Sequence, residues 1–207
     1  MQKAKKPFYP RSRIKGEPRL RSEGGDVSML TPENAALLVV DFQEKLVRAM
    51  HEKQALVENA AKMVQGAKIL GLPILWTEQN PQGLGATVPE VADLLSDIQP
   101  VSKLSFSCCG EARFMEQLLK LNRKQALLCG IESHVCVYQS AADLLHLGCE
   151  VQVVTDAVSA RTSANRDIGL ERCKELGASL TSTETALFEL LKVAGSDKFK
   201  QMLKVVK

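Results

Sequence analysis

The sequence predicts an α/β fold, a three-layer α-β-α sandwich built on a parallel sheet. Three observations carry the expectation. Short apolar runs alternate with stretches of helical periodicity from about residue 33 to residue 192, the pattern of strands joined by crossover helices. Glycine or proline stands at the joins, as at Gly71 and Pro73, Gly148 and Gly177, where a helix must stop before the next strand. A length of 207 residues suits one domain that buries its own core without metals or disulfides.

The first strand is expected at residues 36–40. A helix follows, with Leu56, Ala60, Met63, Ala67 and Leu70 spaced by four and three, and Gly71 with Pro73 ends it. Ile74-Leu75-Trp76-Thr77 reads as the second strand. Residues 81–89 read as a loop, because Gly83, Gly85 and two prolines deny them a regular element. A short helix at residues 91–95 precedes a third strand near residues 99–101, with Lys103 just beyond it. Phe114, Met115, Leu118 and Leu119 mark the next helix, and Ala126-Leu127-Leu128-Cys129 the fourth strand. Tyr138, Ala141, Ala142 and Leu145 then share a helix face that ends at Gly148. A fifth strand is expected at residues 151–155, a helix at 165–177 and a sixth strand at 178–180. Thr181 with Glu184 forms a capping-box pattern that opens a helix through Leu191. Past it, Phe199, Met202, Leu203 and Val206 form an apolar stripe at helical spacing, interleaved with Lys198, Lys200 and Lys204.

Charge is placed unevenly. Residues 1–30 hold eight Lys/Arg against three Asp/Glu, whereas the rest of the chain holds 19 against 21. A nearly neutral domain behind one basic tail gives no nucleic-acid footprint on the fold. The tail is poor in apolar residues and rich in proline and glycine, so residues 1–30 are expected to form a flexible extension and 31–207 the domain. The tail contains no apolar h-region of a secretory signal, and its acidic residues suit a transit peptide poorly. No apolar run approaches the roughly 18 residues of a membrane span. The six cysteines include no Cys-x-x-Cys and no Cys/His cluster at zinc spacing, so they read as reduced thiols of a cytoplasmic protein. Cys129 and Cys149 are most simply core residues.

The segment richest in chemistry is Gly130-Ile131-Glu132-Ser133-His134-Val135-Cys136-Val137. It places Cys136 at or just inside a helix N-terminus, above the C-terminal end of a strand. Free backbone N–H groups and the helix dipole favour a thiolate there, which is the nucleophilic form. Two distant residues join it: Asp41, which closes Leu37-Leu38-Val39-Val40-Asp41, and Lys103 in Val101-Ser102-Lys103-Leu104-Ser105.

The order Asp, Lys, Cys in these contexts resembles the isochorismatase-like cysteine hydrolases, over roughly residues 33 to 192. Thr77-Glu78-Gln79-Asn80-Pro81-Gln82-Gly83-Leu84-Gly85 is similar to the branch of isochorismatase domain-containing proteins. The resemblance implies a six-stranded parallel sheet of order 3-2-1-4-5-6, with the strands before Asp41 and Cys136 adjacent where the order reverses, the place where such sheets bind ligands. It implies a catalytic triad of Asp41, Lys103 and Cys136, and an oxyanion hole from the backbone amides of Glu132 and Cys136. A non-proline cis bond between Ile131 and Glu132 is implied as well. In this reading Lys103 lowers the Cys136 pKa, and Asp41 serves as general base and then general acid in hydrolysis of a small amide or related C–N bond.

The sequence departs from the nicotinamidase members of that family, where an Asp and two His hold a metal. Here Gln79 and Pro81 occupy the first two positions and the loop through Pro89 has no His, so neither metal nor other cofactor is expected. Gln79 becomes a candidate to bind the small-molecule substrate directly. Phe42, Trp76 and Phe106 read equally as an apolar pocket wall or as core aromatics. His134 lies two residues before Cys136, and residues two apart on a helix point in different directions, so no Cys-His pair is expected. Two other readings stand beside the hydrolase: an idle module used for binding or scaffolding, and a thiol redox sensor using Cys136 with Cys108 and Cys109. The terminal stripe, with the oligomers recurrent in the family, implies a homo-oligomer; no nucleic-acid or membrane partner is expected.

Overall fold

A computed structural model describes residues 28–207. The extension expected at residues 1–30 therefore lies, up to residue 27, outside the described residues. Packing begins ahead of residue 31, since Leu30 is fully buried and its amide donates to Glu189 Oε1.

The chain runs β1 (Ala35–Val40), α1 (Glu44–Val47), α2 (Lys53–Leu70), β2 (Ile74–Gln79), α3 (Pro81–Leu84) and α4 (Pro89–Ala92). It continues through β3 (Val101–Lys103), α5 (Ala112–Leu121), β4 (Gln125–Ile131), α6 (Tyr138–His146) and β5 (Glu150–Ser159). It closes with α7 (Ser163–Glu175), β6 (Ser179–Thr181), α8 (Thr183–Leu191) and α9 (Asp197–Val206). The six strands pair in parallel in the order β3-β2-β1-β4-β5-β6. The sandwich and the strand order are as the sequence and its resemblance imply.

Period-two alternation sorts the sheet's side chains into two cores. Leu37 and Val39 of β1, Trp76 of β2 and Leu127, Cys129 and Ile131 of β4 pack with α2, α8 and α9. Ala36, Leu38 and Val40, with Leu75, Ala126 and Leu128, pack with α5, α6 and α7. Both faces of β1 and β4 are covered, and these strands read accordingly as unbroken apolar runs. β5 bulges: Leu128 faces Val153, yet Gly130 faces Val158, and the extra residues lengthen β5 toward the site.

Four local expectations are corrected. Residues 81–84 form a short helix, because Pro81 occupies its first turn, where a missing N–H costs nothing. Lys103 lies on β3 and not beyond it, in register with Gln79. Ser182 caps α8, its Oγ accepting from Thr185 N at 3.2 Å, whereas Thr181 ends β6. The stripe on α9 is covered within the chain: Met202 is fully buried, and Phe199 meets Phe188 edge-on at 6.5 Å. That helix therefore gives no argument for a partner subunit.

Candidate active site

Asp41 leaves the end of β1 with φ 56°, a left-handed conformation uncommon for a residue with a side chain. Its neighbours hold it there. Its amide donates to Thr77 O at 3.2 Å, and its carbonyl accepts from Gln43 N at 2.7 Å. The side chain is fully buried; Oδ1 accepts from Thr77 Oγ1 at 2.7 Å and Oδ2 from Lys103 Nζ at 2.7 Å. Backbone strain that persists in this way is a recurrent mark of functional positions.

Lys103 brings its ammonium beneath the ends of β1 and β2. Besides Asp41, Nζ has Gln79 Oε1 at 2.8 Å, Phe106 O at 3.0 Å and Ser105 O at 3.2 Å. An ammonium has three hydrogens, and four acceptors surround them. Burial works against the charge, but the Asp41 carboxylate and then the Cys108 and Cys136 sulfurs outweigh it, so the Lys103 pKa is raised. Lys103 is a fixed cation whose hydrogens are already taken.

Cys136 approaches from the other side of the reversal. β4 ends at a cis peptide bond between Ile131 and Glu132. A single π-helical turn, Ser133–Val137, follows and leads into α6. Glu132 O accepts from both Val135 N at 3.0 Å and Val137 N at 3.2 Å, which closes the turn. α7 clamps it from outside. Ser133 Oγ lies 3.5 Å from Asn165 O and 3.4 Å from Arg166 O, and a Cβ on Gly169 would fall 2.6 Å from His134 N. Only a glycine lets α7 come so close.

The Cys136 thiol lies close enough to the Asp41 carboxylate for that charge to act on its ionisation. Its ionisation departs from the expectation of a lowered pKa. Burial, then the Asp41 charge, push it up to about 12, and Lys103 offsets only part of this. A helix N-terminus favours a thiolate, but dehydration and an adjacent carboxylate count for more. The resting group is a thiol with a base beside it.

The structure thus brings Asp41, Lys103 and Cys136 together and distributes the other expected residues differently. Gln79 is tied into the site: Oε1 accepts from Lys103 Nζ at 2.8 Å, and one Nε2 hydrogen goes to Leu104 O at 2.8 Å. Phe42 and Trp76 are core residues. Phe106 is half exposed on the loop whose carbonyls hold Lys103, beside the more exposed Leu104. His134 Nδ1 is buried without a partner, and no bond joins His134 to Cys136 among the described residues. The Glu132 carboxylate receives Arg161 Nε at 3.0 Å at the rim.

Three supporting residues escaped sequence reasoning. Thr77 donates to Asp41. Gln43, also fully buried, accepts from Gln79 N at 2.7 Å and donates to Gln79 O at 2.9 Å and Gly85 O at 2.7 Å. Ser140 Oγ accepts from Cys108 N at 2.9 Å, which ties the Lys103 loop to α6. For Thr77, a hydroxyl at the end of the apolar run Ile74-Leu75-Trp76 was the available signal.

The donor set does not suit a metal. Among the described residues no group of three or more His, Cys, Asp or Glu is placed to hold one, and the Gln79 oxygen is taken by an ammonium. An open depression of about 540 Å³, lined by Lys68, Asp97, Lys120 and Arg123, lies at the opposite end of the sheet. Its Lys68 and Lys120 occupy last turns of helices and are paired with Asp97 and Glu116. No described helix is long and apolar enough to cross a membrane.

A family model described as the isochorismatase domain matches residues 35–185. The secreted isochorismatase effector Isc1 of Phytophthora sojae is 40% identical over 184 residues, 86% of this chain and 87% of that protein. Isochorismatase domain-containing protein 2A of Mus musculus is 39% identical over 178 residues, 86% of this chain and 85% of its own. A solved structure of the MAR1 ribonuclease of Caenorhabditis elegans is 36% identical, with a TM-score of 0.81 over 86% of this chain and 92% of that one.

Proposed function

The chain belongs to the isochorismatase family, and from that premise we propose that it is a metal-independent cysteine hydrolase cleaving the C–N bond of a small amide through a thioester on Cys136. One observation carries the reading: the buried Asp41 carboxylate is closed onto the Lys103 ammonium beside the Cys136 thiol, where the strand order reverses.

In the proposed cycle Asp41 takes the thiol proton as Sγ attacks the substrate carbonyl carbon. A thiol at rest suits this, because attack and deprotonation are then one step. The oxyanion rests on the backbone N–H groups of Glu132 and Cys136. Asp41 returns its proton to the amide nitrogen, the C–N bond breaks, and ammonia or an amine departs. Water then attacks the thioester and gives a proton to Asp41; the C–S bond breaks, and the proton passes back to sulfur as the acid leaves. Lys103 acts through Asp41. Its side chain is fully buried and its hydrogens are committed, so it orients the Asp41 carboxylate without touching substrate.

The same arrangement weighs against three other readings. An idle scaffold has no use for a strained, buried Asp-Lys pair, which costs stability to maintain. Redox-sensing thiols are accessible and of low pKa, whereas burial raises Cys108, Cys109 and Cys136 alike. Phosphodiester cleavage, which the description of the nematode relative brings into view, needs a cation facing the phosphate. Here the ammonium is enclosed, and the rim guanidinium of Arg161 is already paired with the Glu132 carboxylate.

A cytoplasmic homo-oligomer completes the reading. Six free cysteines support the location, and the exposed Leu104, Phe106 and Leu119 support a partner surface. A single monomeric mass in light scattering at micromolar concentration contradicts the oligomer. The hydrolase is tested by screening small amides for ammonia or amine release, with Cys136→Ala as control. Turnover in wild type alone is expected, and equal turnover in the variant ends the assignment.

A further inference from the structure

Thr77 holds Asp41 at both ends. Its carbonyl accepts the Asp41 amide at 3.2 Å, and its hydroxyl donates to Asp41 Oδ1 at 2.7 Å. Val40 and Thr77 are register partners on adjacent strands, so the grip is set by sheet pairing. On its far side the same hydroxyl lies 3.8 Å from Cys108 Sγ. Since its hydrogen goes to the carboxylate, Thr77 offers only a lone pair there, and the bonds run from Cys108 S–H to Thr77 O–H to Asp41.

The groups that face one another here are Asp41, Lys103, Cys108 and Cys136, just past β1, on β3, in the turn after β3 and in the turn after β4. One proton separates two arrangements of equal net charge: thiol with carboxylate, or thiolate with carboxylic acid. A donor on Oδ1 favours the carboxylate, since a hydrogen bond to a charged acceptor is stronger than one to its neutral form. We propose that Thr77 is a positioning residue that keeps the resting proton on Cys136 rather than on Asp41. The inference rests on the hydrolase reading for its purpose. Its geometry stands without that reading, and its test needs no substrate. The centre then stays inert toward stray electrophiles until a bound carbonyl draws the proton across.

The experiment measures alkylation of each cysteine by iodoacetamide at pH 7, peptide by peptide, in the full-length chain. Thr77→Val keeps the branched shape and the backbone contact but removes the donor; Thr77→Ser keeps the donor. Cys136 alkylation is expected to rise about tenfold or more in Thr77→Val and to stay near wild type in Thr77→Ser. Thr77→Ala, also lacking the donor, should match Thr77→Val. An unchanged or slower rate at Cys136 in both donor-less variants overturns the proposal. So does a rise shared equally by the buried Cys129, which reports loosening of the fold. If no amide is ever turned over while the alkylation pattern holds, the hydrolase reading fails and the role of Thr77 stands.

Discussion

Replacing Lys103 by Met separates the roles that the site gives to charge and to shape. The Lys103–Asp41 pair is closed at 2.7 Å with both side chains wholly out of solvent. Removing one partner of such a pair leaves an uncompensated buried charge, at a cost of about 3–5 kcal/mol. For a domain of this size each kcal/mol moves Tm by roughly 2–4 °C, so Lys103→Met should melt about 6–20 °C lower. Calorimetry at pH 7 reads the whole effect. The Lys103 pKa is raised by its partner, so its contribution is complete below the unfolded value of about 10.4 and is lost only as pH rises through the higher folded value. A double-mutant cycle adds the decisive comparison. Asp41→Asn with Lys103→Met removes both charges and should be less destabilised than the two single losses sum to. Without the contact that orients it, Asp41 in Lys103→Met should also take the thiol proton poorly, so turnover falls with the stability. A Lys103→Met loss below about 1 kcal/mol, or strict additivity in the cycle, refutes the reasoning that a buried pair organises this site.

Other outcomes follow from single contacts. Gly130→Ala places a Cβ 2.3 Å from Val40 O at a φ of 146°, so β1 and β4 must part just below Asp41; a lower Tm and at least tenfold slower turnover are expected, and wild-type values for both contradict this contact. Activity should be indifferent to EDTA; loss in chelator restored by zinc or iron shows a metal site that the donor set does not reveal. Because Cys136 is pushed up to about 12, its alkylation in wild type should climb through the alkaline range with no plateau near neutrality, and a plateau below pH 8 contradicts the thiol resting state.

Periodicity made the architecture legible, since a sheet covered on both faces writes its strands as apolar runs with helix stops between them. The strand order came only with the family resemblance. Sequence failed where polar residues are buried by partners that no local pattern encodes. Lys103 reads as lying just beyond a strand, yet it is an enclosed residue of an edge strand whose neighbour Ser102 is exposed. Gln79 reads as a substrate contact, but a lysine 24 positions away claims its oxygen. The Cys136 thiol reads as activated by helix and lysine, until burial and Asp41 are added on the opposite side of the balance. Thr77 and Gln43 carried no signal beyond their place at strand ends. Each miss is a contact between segments distant in sequence, and each lies at the site.

The central claim is a covalent bond between substrate and Cys136. The direct measurement is rapid acid quench during turnover of an amide found by the ammonia screen, followed by intact-mass and peptide mass spectrometry. The account predicts a species heavier by the acyl group, located on Cys136 and absent from Cys136→Ala. Steady release of ammonia with no adduct on Cys136, and undiminished release by Cys136→Ala, would contradict it.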